Sequence, residues 1–176
     1  MIILLDLDGV IIDLVKGVCE WFNVPHEPEK VTHWDAFPEI TNTTSEEFWS
    51  SIKMPNFWEG LEFYPDAKNF ISELQKHGKV VLCTSPAYGC AGYKQNWIQK
   101  NLPEFFYSGD YIITPNKENC AHQNTLLIDD SDNNCKKFRH AGGHTLLYPQ
   151  PWNDDRKTKV NKNDLILSEL KYDFNF

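Results

Sequence analysis

The chain has no Cys-x-x-Cys pair, no apolar run near the roughly 20 residues of a membrane span and no excess of positive charge. Each lack removes a class. The five cysteines, Cys19, Cys83, Cys90, Cys120 and Cys135, are odd in number and scattered. Packed or free thiols in a reducing compartment are therefore expected, not a disulfide framework or a cysteine metal site. His140 and His144 stand four apart, but the two glycines of "HAGGH" spoil a helical ligand face, so zinc is not expected there. The N-terminus has no basic segment or cleavage site, and its first carboxylate comes too early for a signal peptide. A cytoplasmic protein with no membrane partner is expected. The formal net charge of -8 argues against binding extended nucleic acid through a broad basic surface. It leaves room for a small phosphorylated molecule in a local positive pocket.

What is present points to a folded enzyme-sized unit. Apolar residues make up 41% of the 176 and aromatics 14%, which argues against disorder and is ample for one domain with a small insertion. There are no internal repeats or low-complexity tracts. Apolar, β-prone segments alternate with helical patterns. Met1 to Leu5, "KVVLCTS", "YIIT", "TLLIDD" and "HTLLYP" read as five strands. Val15, Val18, Cys19 and Phe22 form one apolar helix face, as do Ala67, Phe70, Ile71 and Leu74 before Gly78. Tyr93, Trp97, Ile98 and Leu102 form another, stopped before Pro103. "SDNNCKKFRH" is a helix ended by Gly142 and Gly143, and "NDLILSELKY" a last, shorter one. This alternation predicts a Rossmann-like, three-layer α/β/α parallel sheet.

The tract from Lys16 to Tyr64 does not keep that rhythm. Thr44 and Glu47 resemble a capping box opening a short helix through "SEEFWSSI", but the flanking pieces, "KMPNFWEGLEFYP" among them, read as irregular. The expected organisation is a core of residues 1–15 and 65–176 with a small, mainly helical cap of residues 16–64 inserted after the first strand.

The stretch "LLDLDGVIID" carries the chemistry. Residues two apart on a strand share a face, so Asp6 and Asp8 project together while Leu7 points away. Two adjacent like charges oppose each other's ionisation unless a cation or a proton compensates. Ligands of open α/β sheets bind beyond the carboxyl ends of the strands. At those ends stand Asp6 and Asp8, then Thr84 and Ser85, then Lys117, then Asp129 and Asp130. Carboxylates, hydroxyls and a lysine converging from four strands suit phosphoryl transfer, which needs a nucleophile and compensation of phosphoryl charge.

In order and spacing, "DLDGV", "LCTSP", Lys117 and "LLIDD" resemble the four motifs of the haloacid dehalogenase superfamily of phosphatases. "CTSP", "YKQNWIQKNL" with "ITPNK", and "LLIDDSDNN" are similar to its 5'(3')-deoxyribonucleotidase branch. The likeness spans nearly the whole chain, with the cap matching only loosely. The resemblance implies a phosphomonoesterase in which Asp6 is the nucleophile and forms an aspartyl-phosphate. Asp8 is the general acid and then base. Mg²⁺ is implied between the Asp6 carboxylate, the Asp8 carbonyl and Asp129, with Asp130 acting through a metal-bound water. Thr84, Ser85, Lys117 and Lys94 are implied as phosphate contacts. One departure stands out: where that branch carries an arginine two residues before the lysine of its third motif, this chain has Pro115.

Plainer readings stand beside these. Thr84 and Ser85 fit a cap for the following segment, Lys94 a solvated helix lysine, Asp130 a helix N-cap, and Asp13 and Asp132 structural or solvated groups. Phe48 and Trp49, adjacent on a short helix, are the favoured base platform and Trp34 the weaker one, against a role for all three in the cap core. The loop "PQPWND", Pro149 to Asp154, has no assigned role. The expected partner is a small nucleoside monophosphate, with a homodimer left open as the assembly. The alternatives are another phosphatase of the superfamily, acting on a sugar phosphate or a polynucleotide end, and a catalytically silent phosphate-binding regulatory module.

Overall fold

Five short segments rich in Val, Ile and Leu, each followed by helix, form one parallel sheet. The computed structural model describes residues Met1–Asp173. The strands are β1 (Ile2–Leu5), β2 (Lys79–Thr84), β3 (Tyr111–Ile113), β4 (Thr125–Asp129) and β5 (His144–Leu147), in the order β3-β2-β1-β4-β5. β1 is central: Leu4 lies opposite Val81 on one side and Leu127 on the other. Successive strands step outward from β1 to β3, and β4 then returns to the far side of β1. The crevice between β1 and β4 is thus the switch point where such sheets hold ligands.

Alternation along β1 sends its side chains to two cores. Ile3 and Leu5 join the larger one, with Phe70 and Leu74 of α5 (Ala67–Gln75), Trp97 and Ile98 of α6 (Ala91–Asn101), and Ile166 and Leu170 of α9 (Lys162–Asp173). Leu4 joins the smaller one, with Cys83, Leu127 and Phe138 of α8 (Asp132–His140). Both sheet faces are therefore covered, as apolar parallel strands require.

Between β1 and α5 the regular structure is mainly short helices joined by loops. The chain forms α1 (Leu14–Phe22), two 3-10 turns (Pro28–Lys30 and Trp34–Ala36), α2 (Phe37–Thr41), α3 (Ser45–Ser51) and α4 (Pro55–Gly60). Thr44 and Glu47 form the capping box expected from sequence, each side chain meeting the other's backbone N–H. The pieces on either side of α3, expected to be irregular, contain the short helices α2 and α4. Pro38 and Pro55 sit in the first turns of α2 and α4, where a missing N–H costs nothing. Pro103 does the same for α7 (Pro103–Ser108), so it ends one helix and opens another. The last helix runs twelve residues and is not the short one expected. Asn161 starts it early, its side chain accepting the N–H of Asp164 at 3.2 Å.

The segments that flank the helices between β1 and α5 pair with each other. Tyr64 N–H donates to the Ile11 carbonyl and Asp13 N–H to that of Glu62, each at 2.9 Å, around an antiparallel bridge of Ile12 with Phe63. The Trp97 indole donates to the Leu61 carbonyl at 2.8 Å and fastens the second segment to α6.

Candidate active site

The turn after β1 forms because Leu7 offers one carbonyl to three successive N–H groups, those of Val10, Ile11 and Ile12. Gly9 completes it at φ +76°, a conformation other residues rarely adopt. No side chain fits there either: a Cβ on Gly9 would lie 2.4 Å from Asp130 Oδ2. The glycine thus lets the first strand's turn press against the fourth strand's carboxylates.

Asp6, Asp8, Asp129 and Asp130 are all buried at these strand ends. One carboxylate oxygen from each of Asp6, Asp129 and Asp130 lies within 4.8 Å of the others. Lys117, 1% exposed on the turn after β3, joins two of them: its Nζ is 2.7 Å from Asp6 Oδ1 and 2.6 Å from Asp129 Oδ2. Asp6 Oδ1 also accepts the Leu7 N–H at 2.8 Å. Asp129 is held further by the Ser131 N–H at 2.9 Å and by the Asn134 side chain from α8 at 3.1 Å.

Burial pushes the Asp6 carboxyl up to about 7; Lys117 opposes this, while repulsion from Asp129 and Asp8 adds to it. Asp130 is also held well above the ordinary carboxylate range, first by burial and then by Asp129 and Asp6. Lys117 is raised despite its burial, because two carboxylates hold its proton. Four buried carboxylates face only two buried lysines, and the raised Asp6 and Asp130 carboxyls answer that imbalance: a proton or a cation must compensate it.

Lys94 is the second of those lysines. It is fully buried on α6, its Nζ 2.5 Å from Asp8 Oδ1 and 4.6 Å from the centre of the Trp58 ring. It is neither solvated nor set on the open wall of the site. Thr84, at the end of β2, is fully buried and its hydroxyl has no hydrogen-bond partner among the described residues. Such orphans are rare in folded proteins. Ser85 reaches the cavity, but its hydroxyl donates to the Thr114 carbonyl at 3.2 Å. Cys83 points to the opposite face of the sheet, as strand alternation requires.

Above the carboxylates opens a cavity of about 360 Å³, large enough for a small ligand. Asp6, Asp8 and Asp130 lie on its floor, and Trp34, Phe37, Phe48, Trp49 and Trp58 on its wall. Pro115 lines it where an arginine was weighed, and Lys137 is the cation among its lining residues. The three aromatics singled out from sequence all reach it, in different states. Phe48 is 1% exposed and stacks on Phe22 and Phe37, with centroids 5.5 and 5.7 Å away. Trp49 meets Phe48 edge-on at 5.2 Å and is half-buried; Trp34 is 38% exposed.

The loop left without a role turns out to brace the cluster. The Trp152 indole N–H donates to Asp130 Oδ2 at 2.6 Å, and Asn153 Nδ2 to the Asp130 backbone carbonyl at 2.9 Å. The Gln150 amide donates to the Gly9 carbonyl, and its own oxygen accepts Lys162 Nζ at 2.7 Å. Asp130 is therefore no N-cap; Ser131 fills that place, accepting the Asn134 N–H. Asp13 does cap α1. The available signal was a glutamine between two prolines, followed by a tryptophan and an asparagine, just past a strand end.

A family model described as "5' nucleotidase, deoxy (Pyrimidine), cytosolic type C protein" matches residues 1–164. Among solved structures, a haloacid dehalogenase-like hydrolase from Streptococcus pneumoniae aligns with TM-score 0.63 at 15% identity, covering 95% of this chain and 96% of its own. A predicted phosphatase from Clostridium acetobutylicum gives 0.62 at 13%, covering 96% and 97%. The haloacid dehalogenase-type hydrolase YfnB from Bacillus subtilis, solved bound to magnesium, gives 0.58 at 19%, covering 99% and 98%. At such identities these structures speak for the fold alone.

Proposed function

Since the chain belongs to the cytosolic type C 5'-nucleotidase family, and is thus a phosphatase of the haloacid dehalogenase superfamily, we propose that it hydrolyses nucleoside monophosphates, with deoxyribonucleotides preferred. The observation that carries this reading is the stacking of layers. A buried carboxylate–lysine cluster forms the floor of a cavity whose walls are aromatic. The floor suits a phosphoryl group and the wall a flat base.

In this reading Asp6 attacks phosphorus. Both of its contacts fall on Oδ1, the Leu7 N–H and Lys117, which leaves Oδ2 as the attacking oxygen. Asp8 gives a proton to the leaving alkoxide and then takes one from the water that opens the aspartyl-phosphate. Lys94 fixes the Asp8 carboxylate through Oδ1, and so acts on the phosphate's proton donor more directly than on the phosphate. Lys117 holds Asp6 in line and offsets phosphoryl charge. The unpartnered Thr84 hydroxyl is the donor available to a phosphoryl oxygen, with the Ser85 backbone amide beside it.

The donor set fits Mg²⁺. It is all oxygen, without histidine or cysteine, and its carboxylates outnumber the buried lysines, an imbalance that a divalent ion would offset. Asp6, the Asp8 carbonyl and Asp129 would hold it, with Asp130 alongside. When bound, such an ion neutralises phosphoryl charge as it develops. Among the described residues no helix is long and apolar enough to cross a membrane, and a cytoplasmic setting belongs to the proposal. So does the division into a core of residues 1–15 and 65–176 and a cap of 16–64. The paired segments at Ile12 and Phe63 support it, although α1 already begins at Leu14.

Phosphate release measured across nucleoside 5'- and 3'-monophosphates, sugar phosphates and a generic aryl phosphate tests the proposal. Deoxynucleoside monophosphates should lead by at least tenfold in kcat/KM. Sugar phosphates leading instead, or no turnover of any ester with Mg²⁺ present, would overturn it.

A further inference from the structure

We infer that Trp152 is a positioning residue that registers two halves of the site, holding the Asp130 carboxylate with its indole N–H and the cap's Trp34 with its ring. The residue is 8% exposed, and its two faces of contact are distinct. Its Nε1 lies 2.6 Å from Asp130 Oδ2. Its ring meets that of Trp34 at 5.9 Å and 64°, an edge-to-face arrangement, and Trp34 in turn meets Phe37 of the cap at 5.7 Å. The one residue thus touches a carboxylate of the acidic cluster and an aromatic of the cavity wall. Its own place is fixed from behind. Asn153 binds the carbonyls of Asp130 and Tyr148 with one amide, at 2.9 and 2.8 Å, which clamps the loop to the end of β5.

The physical consequence follows from which oxygen is engaged. A carboxylate with one oxygen fixed by a buried donor presents its other oxygen in a single direction. Gly9 packs against that same oxygen, since a Cβ there would lie 2.4 Å from Asp130 Oδ2 and 3.0 Å from the Trp152 ring. Asp130 is therefore held between the first strand's turn and an indole. Partners that orient a metal-binding carboxylate typically carry about 10–100-fold of metal affinity. The inference rests on the reading of the acidic cluster as a Mg²⁺ site, and the experiment separates the two.

Calorimetric titration of the substrate-free protein with Mg²⁺ is the first measurement. Trp152→Phe keeps a ring against Trp34 and removes only the N–H; Mg²⁺ affinity should fall about tenfold or more. The KM for a deoxynucleotide at saturating Mg²⁺ should change less than threefold. Trp152→Leu removes the ring as well, and should also raise that KM relative to the KM for an aryl phosphate. No Mg²⁺ binding by the unaltered protein overturns the metal reading itself. Binding that Trp152→Phe leaves unchanged overturns this inference alone. Should the variants not fold, the indole ¹⁵N–¹H signals of the unaltered protein decide. The Trp152 signal, identified by its ring contacts with Trp34, should move along the Mg²⁺ saturation curve, and a stationary signal overturns the inference.

Discussion

Replacing Lys94 by methionine keeps the side chain's bulk against Trp58 and removes only its charge. Asp8 then loses its single ion-pair partner, 2.5 Å away, in a place where both side chains are almost wholly out of water. Breaking a buried pair from one side costs about 3–5 kcal/mol, because the remaining charge is stranded. Urea denaturation in chelator should therefore find Lys94→Met less stable by about 3–5 kcal/mol at pH 7. Adding Asp8→Asn to Lys94→Met should recover most of the loss, since neither charge is then stranded. A loss below about 0.5 kcal/mol, in the range of ordinary surface changes, would refute the reasoning and return Lys94 to the solvated surface.

Four further outcomes follow from the geometry. Phe48→Ala should cost about 3–5 kcal/mol of stability, read by denaturation, because the ring is core between Phe22 and Phe37. Trp49→Ala should instead weaken deoxynucleotide kcat/KM about tenfold, the size of one lost base stack, and leave an aryl phosphate nearly unchanged. In chelator, Asp6 should make the protein less stable as pH rises from about 4 to about 7. Its folded value of about 7 lies above the unfolded one, so the folded state binds the proton more tightly across that window. Asp6→Asn should remove that part of the slope, and a wild-type slope no steeper than the variant's would contradict it. Gly9→Ala should lose about 1–2 kcal/mol from the left-handed backbone alone, and turnover more than tenfold as the new Cβ displaces Asp130.

The sheet and the strand-end residues were legible because they obey short-range rules. β1, β2 and β4 are apolar runs ending in the polar residues of the candidate site, and a parallel sheet gathers such ends at one edge. The convergence of Asp6, Lys117 and Asp129 follows from strand order together with spacing. What stayed hidden depends on contacts distant in sequence. Nothing local to Lys94 announces burial; it faces inward because α6 presents that face to Asp8 and Trp58. Trp152 lies 22 residues beyond its partner Asp130, in a loop whose prolines and asparagine read only as a turn. Phe48 and Trp49 are adjacent in sequence, so only packing tells the core ring from the one half-open to the cavity. Likewise the short helices opened by Pro38, Pro55 and Pro103 lack a long apolar stripe, and the same prolines serve loop and helix start alike.

The central claim is that Asp6 carries the phosphoryl group in mid-reaction. It is tested most directly by acid-quenching the protein during turnover of a deoxynucleoside monophosphate with Mg²⁺ and mapping the modified peptide by mass spectrometry. Asp8→Asn should be used beside the unaltered chain with an aryl phosphate, whose leaving group needs no protonation, so that losing the base slows only the opening of the intermediate and lets it accumulate. The account predicts one added phosphoryl group on the peptide that contains Asp6, and none in Asp6→Asn, which should also be inactive. Near-normal turnover by Asp6→Asn, or a phosphoryl group found on another residue, would contradict it.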